Sequence, residues 1–268
     1  MRTIIFIGAI LIFISCKKER NINQPSLAGK IKSIEVNDSI QQTQYSYEFY
    51  YNGPNNALSD IKKDGQTYIE INHLNDSVLI ITRTNDTLGL ENYVIRCDLN
   101  KNVQSVKYKL DSVNEMDIYS FVYENNSISS AYEIGIYMIN FNIHNYTFTV
   151  ANNNCNSFTT TYYNQNFVQV TENYDITYND YLYNINIPFQ SILKYPDLYI
   201  FTPRGVLSLP YIAQLCGLNV GFTNKNLIKE KRDWRYEYAF NTMNEAVEIK
   251  EYGTYSNALY RTYKLSYY

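Results

Sequence analysis

The chain is poor in the residues that most catalytic and nucleotide-binding motifs require. Its 268 residues include only two histidines, ten glycines, six prolines and one tryptophan. No G-x-G-x-x-G, P-loop, G-x-S-x-G or H-E-x-x-H pattern occurs, so the signatures of nucleotide-binding proteins, α/β-hydrolases and zinc proteases are absent. The histidines, His73 and His144, each lack a second ligand at i+2 or i+4. We therefore predict no metal and no cofactor.

Strong charge of either sign is also missing. The formal net charge is -3 and the sequence pI is near 5.5. A nucleic-acid-binding domain carries a clustered basic surface, so nucleic acid is excluded as a partner. The four cysteines are Cys16, Cys97, Cys155 and Cys216, and their spacing matches no C-x-x-C pattern. Whether two of the last three pair is open, and buried thiols are the simpler interpretation.

Long apolar runs are absent except at the start. Residues 4–14 form one such run after Arg2, and the small residue Ser15 follows it. As a helix this run spans about half of a ~30 Å hydrocarbon core, which disfavours a transmembrane segment. Residues 1–15 are therefore predicted to be an export signal peptide.

The end of this run resembles a lipoprotein signal. Phe13, Ile14, Ser15 and Cys16 are similar to the bacterial lipobox, with Phe13 where Leu is commonest. The resemblance implies that the Cys16 thiol is acylated and that signal peptidase II cuts before it. Residues 16–29 are then the lipidated cysteine and a linker, and the lipid bilayer is a partner. Residues 17–20 resemble the charged stretch that exports some Bacteroidota lipoproteins, which implies an outer-membrane location, facing either the periplasm or the cell surface.

Tyrosine, at 29 residues, is what the chain has in abundance. Aromatic and β-branched residues alternate with polar ones in short segments, and Asn, Asp or Gly separate those segments. The pattern predicts a mainly β protein, with residues 30–268 forming a single antiparallel domain. Because the hairpin spacing is irregular, we expect a curved meander sheet, open or half-barrel-like.

One segment breaks the alternation. Residues 188–218 are apolar without a period of two, with Pro188 at a helix-start position and Gly217 at a helix-end position. They predict a short helical insert that fills the hollow of the sheet or lines a ligand cavity.

The last strands resemble uncharacterised Bacteroidota lipoproteins with a Tyr-rich domain of unknown function. Tyr236, Glu237 and Tyr238, the turn residue Asn244, and residues 263–268 carry this resemblance. The resemblance implies no activity.

A non-enzymatic binding module is the leading functional hypothesis, with glycan or an envelope protein as the partner. Tyr45, Tyr47 and Phe49 share one strand face, and their rings could stack on sugars. A polysaccharide hydrolase is one alternative, for which Glu133, Glu172 and Asp175 are the candidate carboxylates. A structural envelope protein is the other alternative.

Four Asp-Ser or Asp-Thr pairs, each followed by an apolar residue, resemble the O-glycosylation site of exported Bacteroidota proteins. The hydroxyl residues are Ser39, Ser77, Thr87 and Ser112. All four fall in predicted turns, so we predict that they are glycosylated.

Overall fold

The described residues of the computed structural model form an antiparallel β-barrel. The structure describes residues 27–75, 78–85, 89–111, 114–124, 127–136, 141–151, 154–163, 166, 168–182, 212–213, 215–219, 226–231 and 234–268. The first eight strands are β1 Ile31–Asp38, β2 Thr43–Tyr50, β3 Asp60–Lys63, β4 Gln66–Asn75, β5 Val78–Asn85, β6 Gly89–Cys97, β7 Val103–Lys109 and β8 Glu115–Glu124. The remaining strands are β9 Ser127–Ile136, β10 Phe141–Ala151, β11 Asn154–Tyr163, β12 Gln169–Leu182, β13 Asn226–Lys231, β14 Trp234–Phe240, β15 Ala246–Gly253 and β16 Leu259–Tyr267.

Each strand pairs with its neighbours in the chain, and the ring closes where β1 meets β16. On β1, Ile34 lies opposite Tyr47 of β2 on one side and Leu265 of β16 on the other. All three side chains are buried, so the alternation of apolar and polar residues places one face of every strand inside.

The predicted open or half-barrel-like sheet with a helical insert is wrong. The sheet closes completely, and the elements of the described residues are strands and a 3-10 turn at Pro54–Asn56. Most of residues 188–218 lies outside the described residues. In the described part, the Cys216 N–H donates to the Ile212 carbonyl at 3.0 Å, which is a single helical turn. No helix in the described ranges has the length and apolarity needed to cross a membrane.

Left-handed turn residues join several hairpins. Asp64 and Gly65, at φ 49° and 79°, form the two-residue connection between β3 and β4. Positive φ at both central residues is typical of a type I′ turn, whose twist matches that of the flanking strands. Lys101, Asn244 and Asn257 also have positive φ. Asn, which is abundant in the chain, thus occupies left-handed turn positions.

The even number of strands brings both ends of the described chain to one end of the barrel. We call this end the proximal end; there Tyr268 N–H donates to the Lys30 carbonyl at 3.0 Å. The opposite end, with the turns at residues 39–42, 64–65 and 254–258, is the distal end. β12 ends and β13 begins at the proximal end.

Side chains fill the interior of the barrel. Buried apolar residues from strands all round the ring form one core, including Ile34, Phe49 and Ile81 at 0 % exposure. At the proximal end, Ile212 and Leu218 join this core from the segment before β13. The described part of the insert therefore supplies core side chains.

Candidate functional site

The outer wall of the barrel is polar and charged. Oppositely charged residues lie across from each other on neighbouring strands, as Glu35 does with Lys264 and Lys264 with Glu248. Glu237 likewise faces Lys250. These positions lie along the strands rather than at their ends, so ionic side chains cover the middle of the wall.

Hydroxyl and amide side chains cover the outer wall on β11 and β12. Thr159 donates to the amide oxygen of Asn173 at 2.7 Å, and Thr161 and Thr171 are hydrogen-bonded at 3.3 Å. The exposed large apolar residues are concentrated at the two rims, such as Leu90 and Tyr255 at the distal rim and Leu99 at the proximal rim. The described wall thus shows no continuous apolar band.

The interior changes character between the two ends of the barrel. Towards the proximal end it is aliphatic and aromatic, as the core residues show. Towards the distal end the inward positions carry charged residues, which continue the alternation of the apolar ones. Arg83 follows Ile81 by two residues, and Asp38 follows Val36 by two; the two charged side chains are 4 % and 3 % exposed.

Three charged side chains form a group that we call the clasp: Asp38 on β1, Arg261 on β16 and Glu251 on β15. Arg261 Nε donates to Asp38 Oδ2 at 2.8 Å, and its Nη1 donates to Glu251 Oε1 at 3.2 Å. The other carboxylate oxygen of Asp38 accepts the N–H groups of Ile40 and Gln41 in the following turn. The clasp therefore joins the first and last strands at the distal end.

A second group, the distal cluster, consists of Tyr45, Tyr47, Lys63, Tyr68 and Arg83. The Tyr47 ring centroid lies 5.7 Å from that of Tyr45 and 5.8 Å from that of Tyr68. Lys63 Nζ lies over both outer rings, 5.1 Å from the Tyr45 centroid and 5.8 Å from that of Tyr68. Arg83 Cζ lies 5.7 Å from the centroid of Tyr68. Two cations and three phenol rings thus meet just below the distal turns.

Tyr45 and Tyr47 stay neutral at physiological pH. Burial raises the pKa of Tyr45 to about 12, although the nearby Arg261 guanidinium opposes the shift. Burial also holds the pKa of Tyr47 well above its usual range. Both phenols therefore remain hydrogen-bond donors. The hydroxyl of Tyr47 is buried and has no hydrogen-bond partner within the described residues.

The three predicted stacking residues face into the barrel. Tyr47 and Phe49 are 1 % and 0 % exposed, and Phe49 belongs to the core. Only Tyr45 of the three is half-buried, and it lies near the distal turns. An exposed outer platform of these residues is therefore not what the fold provides, and stacking of Tyr45 on a ligand stays a prediction.

The other predicted sites lie apart from this region or outside the described residues. Ser39 is exposed in the distal turn after β1, whereas Cys16, Ser77, Thr87 and Ser112 lie outside the described residues. Of the candidate carboxylates, Glu172 accepts hydrogen bonds from the inward-facing Tyr162 and Tyr174. Asp175, three residues on, is exposed on the opposite face of β12, so these two carboxylates do not share a cleft.

Sequence reasoning missed Lys63, Arg83 and the clasp, although one signal for them was present. Each of Asp38, Arg83 and Glu251 lies two residues after a buried apolar residue of its strand, and Arg261 lies two before one. A charge in phase with the apolar face of a strand must point inwards.

A shallow concavity of about 480 Å³ lies beside the turn between β6 and β7. Its carboxylate, Asp98, accepts the N–H groups of Asn100 and Asn102 and is thus used within the turn. In the part of the chain that the structure describes, no three His, Cys, Asp or Glu side chains are grouped to hold a metal ion.

Comparison with known proteins identifies the fold alone. No family model matches the chain, and no curated protein matches it. Among solved structures, the chain is similar to a porin-like protein from Bacteroides vulgatus, with a TM-score of 0.60 and 10 % sequence identity. The match covers 89 % of this chain and 98 % of that one. The likeness shows that the two chains share the β-barrel fold.

Proposed function

We propose that the chain is a lipid-anchored, non-enzymatic binding protein of the cell envelope, whose barrel stands in water and takes up glycan at its distal end. The polar outer wall around a filled interior is the observation that carries this proposal. Transmembrane barrels have the reverse arrangement, with an apolar band about 25 Å tall outside and polar residues inside.

The charged wall makes insertion of this barrel into a bilayer unfavourable. A Lys or Arg at the bilayer midplane of a barrel costs about 2–4 kcal/mol, and Asp or Glu costs less. Several such residues, including Glu35, Glu237, Lys250 and Lys264, point outwards on a few neighbouring strands. The membrane attachment is therefore assigned to the predicted acyl chains on Cys16 and not to the strands.

The filled interior favours a binding role over a channel. Sixteen-stranded porins enclose an aqueous channel, whereas the inward side chains here form a core. Because β1 begins at the proximal end, a tether before it leaves the distal end facing away from the anchor. The half-buried rings of Tyr45 and Tyr68 lie near the distal end, where a sugar ring can stack on them.

Membrane attachment is tested on the full chain and on Cys16→Ser. We expect palmitate labelling of the wild type only, and recovery of Cys16→Ser in the aqueous phase after detergent phase separation. A Cys16→Ser protein that stays in the detergent phase, or that conducts ions in a planar bilayer, would contradict the proposal.

Ligand binding is tested by a glycan array with the full chain, Tyr45→Ala and Tyr50→Ala. Tyr50 lies on the same strand as Tyr45 but faces outwards, which makes it the matched control. We expect binding that Tyr45→Ala weakens and Tyr50→Ala does not. A wild-type protein that binds no glycan would refute the assignment.

A further inference from the structure

We infer that the distal cluster selects a saccharide bearing a negative charge, a carboxylate or a sulfate, with Lys63 as its charge partner and the Tyr47 hydroxyl as a buried donor. This inference rests on the proposed glycan-binding function and narrows it to one chemical class.

The first observation is a cation without an anion. Lys63 is inward-facing and half-buried, and no carboxylate of the described residues lies within ion-pair distance of its ammonium group. The two clasp carboxylates are already bonded to Arg261. Among the described residues, the groups that Lys63 contacts through its charge are the rings of Tyr45 and Tyr68. An ammonium group on a half-buried aromatic surface is a favourable position for a ligand anion, because solvent there screens the interaction less.

The second observation is independent and concerns a donor without an acceptor. Tyr47 is 1 % exposed, and its hydroxyl makes no hydrogen bond with any described residue. A buried hydrogen-bond donor without an acceptor destabilises a protein, so the presence of such a donor calls for an explanation. Tyr47 lies directly opposite Lys63 in the register of β2 and β3, so the two residues are cross-strand neighbours on the inward face.

The third observation is the shape of the surroundings. The rings of Tyr45 and Tyr68 flank Tyr47 at 5.7 and 5.8 Å, and the guanidinium of Arg83 lies against Tyr68. Aromatic rings match the apolar faces of a pyranose, whereas a cation and a phenol donor match a carboxylate or sulfate on its rim. Glu91, which lies opposite Arg83 in the register of β5 and β6, accepts the Tyr93 hydroxyl at 2.6 Å.

The test uses calorimetry on the full chain with four probes. The charged probes are tetragalacturonate and a sulfated galactan oligosaccharide, and the neutral counterparts are the methyl ester of the first and the desulfated form of the second. We expect at least one charged probe to bind about ten-fold or more tightly than its neutral counterpart.

Two pairs of variants locate the interaction. Lys63→Met should weaken binding of the charged probe about ten-fold and leave the neutral counterpart unchanged. Lys62→Met, one residue earlier and facing outwards over Tyr50, is the matched control and should change neither. Tyr47→Phe should weaken binding about five-fold without lowering the melting temperature, because it removes a hydroxyl that has no partner in the described fold. A merely structural Tyr47 hydroxyl would lower the melting temperature instead.

The remaining outcomes distinguish a failure of the charge selectivity from a failure of glycan binding. Equal affinity for charged and neutral probes, or equal effects of Lys63→Met and Lys62→Met, overturns the charge selectivity and leaves glycan binding standing. Binding of no saccharide at all overturns both this inference and the proposed function.

Discussion

Breaking the clasp should destabilise the barrel far more than breaking an ion pair on the outer wall. Arg261→Met removes the cation from between Asp38 and Glu251, which are 3 % and 4 % exposed. Loss of one partner of a buried pair typically costs about 3–5 kcal/mol, because an uncompensated charge stays buried. The side chain of Arg261 is itself 34 % exposed, so solvent screening places the expected loss near the lower limit, about 3 kcal/mol.

The matched control lies one residue from Glu251 on the same strand. Lys250 Nζ and Glu248 Oε1 form an exposed pair at 3.1 Å, and Lys250→Met should cost less than about 1 kcal/mol. Urea unfolding at pH 7 measures both variants, with equal m-values as the condition for comparison. If the two variants lose unfolding free energies within about 0.5 kcal/mol of each other, the clasp does not stabilise the contact between β1 and β16.

The pH dependence of the unfolding free energy is a second test of the clasp. Burial by itself raises the pKa of Asp38, but the Gln41 N–H and the Arg261 guanidinium outweigh it, and the net pKa is lowered from 3.8. A carboxyl group whose pKa is lower in the folded than in the unfolded state stabilises the fold. This stabilisation is complete at a pH above the unfolded-state pKa, and it is lost as the pH falls through the folded-state pKa. The difference in unfolding free energy between wild type and Arg261→Met should therefore be constant from pH 5 to 7 and shrink below about pH 4. A difference that grows on acidification would contradict the assigned charges.

Three further substitutions probe the barrel. Phe49→Ala should cost about 3–5 kcal/mol in urea unfolding, because Phe49 is wholly buried, and an equal loss in Tyr50→Ala would argue against an inward-facing Phe49. Gly65→Ala should cost about 1–2 kcal/mol, because φ is +79° and nothing lies within 4 Å of the added Cβ. Gly65→Asn should cost less, because Asn tolerates a positive φ better than Ala does. A larger loss for Gly65→Asn than for Gly65→Ala would exclude backbone strain as the cause. Tyr268→Phe should cost about 1 kcal/mol by thermal melting, because the hydroxyl donates to the Phe49 carbonyl at 2.8 Å, and no change would mean that water replaces this bond.

The positions of strands and turns were largely predictable because they depend on local patterns. The apolar alternation ending near Cys97 and resuming at Val103 corresponds to β6 and β7, with an Asn-rich turn between them. Closure was not predictable, because β1 and β16 alternate in the same way whether or not they meet. The ion pair between Asp38 and Arg261 links residues 223 positions apart, and no local signal encodes that pairing.

The candidate site was predictable only in part, for a related reason. Alternation places Tyr45, Tyr47 and Phe49 on one face, but it does not say whether that face is inside or outside. Closing the sheet turned that face inwards, and the pairing of β2 with β3 placed Lys63 beside it. Lys63 by itself looks like any solvated lysine, so its position opposite Tyr47 could only come from the register of β2 and β3.

The seam between β1 and β16 has a consequence for the kinetics of folding. Hairpins between consecutive strands close short loops, whereas the Ser33–Ser266 contact across the seam closes a loop of 233 residues. Such a contact raises the contact order and is entropically costly until the strands between are in place, so we expect the seam to form late. Until it forms, β1 and β16 are two unpaired sheet edges that another unfolded chain can join. A slow seam would thus make the nascent chain dependent on chaperones during the interval before the ring closes.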